Sequence, residues 1–326
     1  NADAIRYFTR YCHQVPNNDD AYLKMGLAYD ALGEKHNAIW AYSMAIQNNP
    51  QAVGAYNNMG TLYLVENDIE QAQKKFITAQ HINPEDAPSG WNLAKCYFLQ
   101  GRLKEAWPLY KHRWSVFGIH YMRRTFTKAE WRGESLVGKK VFLYNEQGMG
   151  DHIQNIRFVS LLKAAGAYVI MECHLSLYPL FKENFTGDIL LPYGDTIPEY
   201  DYCCSLNTIP AILNLQQDEI HKGVPYLLAN TDRAAYWHSL VLGDGFKFRI
   251  GVIWAGNPQH PNDALRSSSF SDFAPLFDLP GIAIYNLQVG SSSGEFPTNR
   301  QNAIDFTDQL LNYQETAALI QNLDLI

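Results

Sequence analysis

The chain has 326 residues, which at roughly 100–200 residues per domain allows two or three domains. Hydrophobic residues at 47% and aromatics at 13% supply a sizeable core and exclude a disordered chain. Lysine plus arginine number 26 against 33 acidic residues, a net charge of −7, and with a pI near 5.8 the balance argues against nucleic acid as a partner. No stretch approaches the ~18 apolar residues of a membrane span, and residues 1–30 contain no signal-peptide core. Cys12, Cys96, Cys173, Cys203 and Cys204 follow no CxxC or Cys/His ligand spacing. They read as buried thiols of a reducing, cytoplasmic compartment, with no metal site.

In chain order, the first third is a repeat. Tyr22, Met25, Gly26, Tyr29, Ala38, Tyr42, Ala45 and Pro50 recur in type as Tyr56, Met59, Gly60, Tyr63, Ala72, Phe76, Ala79 and Pro84, an offset of 34 residues. A third copy keeps Leu93, Ala94, Tyr97, Ala106 and Tyr110, then departs with Arg113 where alanine stood. Ala4, Phe8 and Pro16 fill the second-helix slots of an earlier copy. Small residues let paired antiparallel helices approach closely, aromatics fill the seam, and the prolines end each second helix. The pattern resembles the tetratricopeptide repeat, whose stacked pairs form a superhelix with a groove for extended peptide. Residues 1–18 supply a second helix alone, so further repeat sequence is expected upstream. Position 6 of the repeat holds Lys24, Asn58 and Asn92. A primary amide both donates and accepts, so Asn58 and Asn92 are candidate clamps on the backbone of a protein or peptide acceptor. That arrangement is similar to the asparagine ladder of O-GlcNAc transferases; the alternative is two solvated polar residues on an exposed face.

A helical connection is expected from Trp114 to about Trp131. Strands then alternate with helices: a strand at Lys140–Tyr144, a glycine turn, and a helix from about Asp151 to Ala165. A strand at Ala167–Cys173, a helix at His174–Asn184, strands at Asp188–Leu191 and Tyr200–Cys204, and a helix near Thr208–Leu213 follow. A second start comes with a helix at 231–242, a strand at Phe248–Ala255, a helix at Ser271–Leu276, a strand at Ile282–Val289 and a helix at Tyr313–Asn322. Leu323–Ile326 opens another strand. Alternation of this kind means parallel sheets covered by helices. The expected segments are 1–130, 131–230 and 231–326.

Several motifs fail on inspection. Gly133–Lys140 nearly spells a phosphate-binding loop but carries Lys140 where a hydroxyl is needed and precedes its strand. Gly290–Gly294 has nucleophile-elbow spacing around Ser292, yet no histidine follows it in this sequence. Gln147-Gly148-Met149-Gly150-Asp151-His152 lies at a strand-to-helix turn, where α/β sheets bind ligands. As a dinucleotide fingerprint it has Ile153 in place of the third glycine; Glu172 at the end of the next strand leaves an oxidoreductase as an outside alternative. Asp151 suits a helix cap there, and a carboxylate at that edge also suits a general base. No DxD, HExxH or other metal-spaced set occurs.

Trp131-Arg132-Gly133, Leu136, Gly138-Lys139 and Asn145–Asp151 together resemble the start of a bacterial tetratricopeptide-linked glycosyltransferase related to the heptosyltransferases. Gly251–Pro258, His260, Asn262-Asp263 and Arg266-Ser267, then Asn286–Gly290 and Thr316–Ile320, look like that group's second half. The resemblance implies an α-helical tetratricopeptide superhelix followed by tandem Rossmann-like domains of the α/β GT-B type, the second incomplete at the C-terminus. It implies a nucleotide-sugar as substrate, no cofactor or metal, and a protein acceptor recruited by the repeat groove. Asp151 matches the proposed base. His152 stands where a small hydroxyl residue is common, so either neighbour is open as the proton acceptor. On the donor side the resemblance implies Arg266 at the phosphates, Glu295 at the ribose, and Asn257 and Gln288 in the surrounding loops. A rival reading is a non-enzymatic repeat scaffold with a degenerate Rossmann platform.

Overall fold

Close helix approach at glycine and alanine positions organises the amino-terminal third. The computed structural model describes residues 1–116, 124–220, 223–260 and 263–326. Its helices are α1 (Ala2–Gln14), α2 (Asp19–Asp30), α3 (Lys35–Asn48), α4 (Val53–Val65), α5 (Ile69–Ile82), α6 (Ala87–Leu99) and α7 (Leu103–Tyr110). Side-chain oxygens of Asn18, Asp68 and Asp86 accept the backbone N–H groups that α2, α5 and α6 leave unpaired at their starts. Gly26 lies against the ring of Tyr42, and Gly60 against that of Phe76; a Cβ on Gly60 would stand 2.6 Å from the Phe76 ring. Ala38, Tyr42, Ala72 and Phe76 are fully buried, so the repeated positions are the core of this region.

The helical connection expected over 114–131 is interrupted. A 3₁₀ turn at Lys111–Ser115 follows α7, part of the connection lies outside the described residues, and 124–131 carry no helix. Glu130 instead pairs in parallel with Cys203 at the edge of a sheet.

The α/β elements then run β1 (Lys140–Tyr144), α8 (Met149–Asn155), α9 (Val159–Ala164), β2 (Tyr168–Cys173), α10 (Tyr178–Asn184), β3 (Ile189–Pro192) and β4 (Tyr202–Ser205). All pair in parallel, in the order β3-β2-β1-β4. The single helix expected from Asp151 to Ala165 is two helices joined by a 3₁₀ turn at Ile156–Phe158. The helix expected from His174 begins at Tyr178, because His174 Nδ1 bonds the Ser176 hydroxyl at 2.8 Å and accepts its backbone N–H in a tight turn.

Beyond β4 come α11 (Ile209–Ile212) and α12 (Gln217–Ile220). The chain divides into two units, Asn1–Thr127 with Asn207–Lys222, and Lys128–Leu206 with Gly223–Ile326. Arg113 explains why 207–222 joins the helices. In place of the repeat's alanine, its side chain is 1% exposed, lies over the rings of Tyr110 and Trp114 at 4.0 and 4.1 Å, and donates to Thr208 Oγ1 at 2.6 Å. Trp107 Nε1 donates to the Leu215 carbonyl at 2.7 Å.

The second unit continues with α13 (Thr231–Val241), β5 (Phe248–Val252), β6 (Ile282–Asn286), β7 (Ala303–Asp305) and α14 (Tyr313–Ile320). The sheet order is β5-β6-β7, and Leu325 bridges Ile250 on the free side of β5, so both sheets follow one strand order. The Ser271–Leu276 helix is a 3₁₀ helix, Phe270–Asp278, with Pro275 inside and a Ser269/Asp272 capping box. Strand β5 stops at Val252, short of Ala255, where the backbone turns to bond the Gln288 side chain. Arg233 and Trp237 of α13 both donate to Glu315 of α14, at 2.8 and 2.9 Å, which fastens these two helices.

Candidate functional site

On the repeat helices, Asn58 and Asn92 are half-buried on the first helices of their repeats, α4 and α6. Asn92 Nδ2 donates to Asn57 Oδ1 at 3.0 Å, and Asn57 Nδ2 to Asn58 Oδ1 at 3.3 Å. Three amides thus form one row, in which each bond polarises the next. Asn57 escapes a repeat comparison because Leu23 and Trp91 fill its slot in the adjoining copies. Lys24, at the first copy's position 6, pairs with Asp20 at 2.7 Å instead. Lys95 lies one turn beyond Asn92 on α6, and burial holds its ammonium below the usual lysine range.

In the α/β unit, the turn after β1 is locked by Asn145, whose Nδ2 donates to the carbonyls of Gln147 and Gly148 at 2.5 and 3.3 Å. The residue that caps α8 is Gly148, so Asp151 is the third residue of the helix and not its cap. Burial pushes the Asp151 carboxyl above the usual aspartate range. The N–H groups of Gly148 and of Asp151 itself, and then Arg266, pull it back. Gly148 and Gly150 have no packing reason to be glycine: a Cβ on Gly150 meets nothing within 4 Å, and one on Gly148 makes ordinary contact with Asp151.

His152, the next residue, faces different surroundings. It is 1% exposed, meets the Phe181 ring edge-on at 5.0 Å, and its Nε2 has no hydrogen-bond partner. Burial, with His174 nearby, pushes its pKa down to about 4, so the imidazole is neutral at physiological pH. It lines a cavity of about 190 Å³ at the carboxyl ends of β1 and β2, shared with Asn145 and Glu172.

Of the donor-side candidates, Arg266 is exposed just past a 3₁₀ turn at Asp263–Leu265, and Asn257 is exposed earlier in the same loop, its side chain accepting from Gln259 N. Ser267 ties that loop together, accepting from Gly256 N at 2.8 Å and donating to Asp263 at 2.7 Å. Asn262 of the same motif lies outside the described residues. Gln288 is buried, and its Oε1 accepts from Trp254 N and Ala255 N at 3.2 and 2.9 Å, so it shapes the loop after β5. Glu295 is exposed at the end of a 3₁₀ turn, Ser291–Glu295. Of these donor-side candidates, Arg266 is among the charges that act on Asp151, after burial and two backbone N–H groups. Among the described residues no three His, Cys, Asp or Glu side chains group at metal-holding distances, and no helix is long and apolar enough to cross a membrane.

The tetratricopeptide-repeat family matches residues 19–51. Over 331 aligned positions, 93% of this chain, the sequence is 23% identical to Protein FlbA of Caulobacter vibrioides. Over 146 positions, 45% of this chain, it is 21% identical to the general transcriptional corepressor trfA of Dictyostelium discoideum. The chain spans 55% of the length of FlbA and 10% of that of trfA. Among solved structures, YrrB, a tetratricopeptide protein with an unusual peptide-binding site, is 19% identical with a TM-score of 0.32, over 34% of this chain and 57% of that one. MamA from Desulfovibrio magneticus RS-1 is 19% identical with a TM-score of 0.33, over 37% of this chain and 70% of that one. The family match places a tetratricopeptide repeat at residues 19–51, an architecture suited to binding peptides and proteins.

Proposed function

We propose that this chain belongs to a glycosyltransferase in which the repeat helices hold a protein acceptor and the α/β unit moves a sugar onto it from a nucleotide-sugar. The observation that carries the reading is that the charge of Arg266, in the loop beyond β5, is felt by the carboxyl of Asp151, on the ligand edge of the first sheet. A transfer site needs a base on the acceptor side and a cation on the donor side, and these two residues supply them. The Asp151 carboxylate takes the proton of the acceptor hydroxyl as that oxygen bonds the anomeric carbon. The bond from that carbon to the nucleotide phosphate breaks, and the electron pair leaves with the phosphate. Arg266 meets the new charge with two N–H donors. Asn257 borders the phosphates from the same loop, Glu295 holds the ribose, and Gln288 keeps the loop in shape. His152, neutral and inward, positions rather than removes protons.

One observation favours the rival scaffold reading: Gln288, offered by sequence as a donor contact, is committed to backbone. Calorimetric titration of the full-length protein with UDP-, ADP- and CMP-linked sugars separates the two. A transferase binds one of them, and Arg266→Ala weakens that affinity about tenfold or more, the loss of a charge-assisted contact. Absence of binding to all three classes leaves the scaffold.

A further inference from the structure

Neither Asp151 nor Arg266 lines a cavity of about 540 Å³ in the α/β unit, and the transfer step makes no use of it. Helices α8 and α10, beside the first sheet, supply Ile153 and Leu180. Helix α14, beside the second, supplies Ala317 and Ile320, and the segment before α13 supplies Leu227 and Leu228. Polar bonds hold these walls in place. Asn184 grips the backbone of Leu228 twice, its Nδ2 donating to the carbonyl and its Oδ1 accepting the N–H, each at 2.9 Å. Asn230 Nδ2 donates to Glu183 Oε1 at 2.8 Å, and the Tyr313 N–H donates to the Ser176 carbonyl at 3.0 Å. With its backbone fixed in this way, Leu228 keeps its side chain 62% exposed. Walls fixed before binding spare a ligand the cost of ordering them.

The chemistry of the lining selects the ligand. Thr231 and Gln321 are exposed, and Thr316 Oγ1 donates to the Asn312 carbonyl. The Tyr313 hydroxyl is different: among the described residues it has no hydrogen-bond partner, and it keeps accessible surface. Burial pushes the Tyr313 phenol up, so it stays a neutral donor. No lysine, arginine, histidine, aspartate or glutamate is among the described lining residues. A charged ligand would lose water here and gain no counter-charge, whereas an apolar one gains by leaving water. The volume lies within the roughly 300–1,000 Å³ of small-molecule pockets.

We propose that this cavity binds an uncharged small molecule with an apolar body and one hydrogen-bond acceptor. The body packs on Leu180, Leu228 and Ala317, and the acceptor meets the Tyr313 hydroxyl. Such a ligand touches helices of both sheets and fastens α14 to α8 and α10.

Calorimetry on the full-length protein tests this with 1-naphthol and borneol as neutral probes. The charged counterparts are 1-naphthoate and 1-naphthylmethylammonium. At least one neutral probe should bind saturably, and the charged ones about tenfold or more weaker. Ala317→Phe fills the space and should weaken neutral binding about tenfold or more. Tyr313→Phe lacks the hydroxyl and should weaken it about five- to tenfold, the cost of roughly one hydrogen bond. Leu228→Asp replaces a side chain that is already exposed, so it leaves the core intact, and it should weaken neutral binding about fivefold or more. The ranking of probes by the unaltered protein needs no variant. The proposal is overturned if neither neutral probe binds, if 1-naphthoate binds as tightly as 1-naphthol, or if all folded variants bind as before. A dimer in sedimentation that Leu228→Asp dissociates, with no probe bound, assigns the cavity to contact between copies and overturns it as well. Nucleotide-sugar binding is a separate readout, so loss of this site leaves the transferase reading standing.

Discussion

Asp151, three residues into α8, and Arg266, in the loop beyond β5, act on each other electrostatically although they belong to different sheets. The guanidinium favours the ionised carboxylate, against the burial that disfavours it. Arg266→Gln removes that help, so the Asp151 carboxyl rises further and the acidic limb of a pH–rate profile moves to higher pH. An acidic limb that stays in place means that Asp151 is not the titrating base.

His152 ties stability to pH. As pH falls through about 6.5 the unfolded chain binds a proton that folded His152 refuses until about pH 4. Stability contributed by the neutral imidazole is therefore present at neutral pH and lost across that window, by an amount of order 3 kcal/mol. In urea unfolding at a series of pH values, His152→Phe should show a flatter dependence between these limits than the unaltered protein. Parallel curves for the two proteins would contradict the burial argument.

The amide row is expected to read backbone and not side chains. Two unstructured peptides of unrelated sequence, selected from a random library for binding to the helical unit within the full-length protein, should both lose affinity in Asn58→Ala and Asn92→Ala. The expected loss is about five- to tenfold for each variant, the cost of roughly one hydrogen bond. Asn57→Ala should act similarly, because its side chain holds both neighbours. Fluorescence anisotropy checks this; a loss confined to one peptide points to side-chain recognition instead.

Gly60 and Phe76 test the repeat packing. In an ordinary helix Gly→Ala stabilises by up to ~1 kcal/mol, but here the new methyl meets the Phe76 ring. Gly60→Ala should destabilise by about 1–3 kcal/mol, and Phe76→Leu in the same chain should recover part of that loss. Denaturant midpoints of the two single variants and the double variant give the sign of the coupling.

These positions also mark what can be read from sequence. Gly26, Tyr42, Gly60 and Phe76 are legible because a period exposes them, and the parallel sheets are legible from alternating apolar strands and helices. Asn57 is hidden because its slot varies between copies. The capping role of Gly148 is hidden because a glycine supplies no side-chain signal, which leaves Asp151 looking like the cap. Strand β7, Ala303–Asp305, is too short for any alternation to register. The capture of 207–222 depends on Arg113 meeting Thr208, 95 residues away, and no local pattern reports such a contact.

The central claim, that Asp151 is the base of a glycosyl transfer, is tested most directly by Asp151→Asn in the full-length protein. Asparagine keeps the size and a side-chain oxygen acceptor but takes no proton near neutral pH. Its stability shift has a defined sign: the raised carboxyl means that ionised Asp151 destabilises the fold at neutral pH. Asp151→Asn should therefore melt no lower there, and any gain should vanish below the ordinary aspartate pKa of 3.8. With nucleotide-sugar affinity retained, turnover onto the acceptor should fall by about 10²–10⁴-fold. Full turnover in a folded, donor-binding Asp151→Asn protein would contradict the assignment.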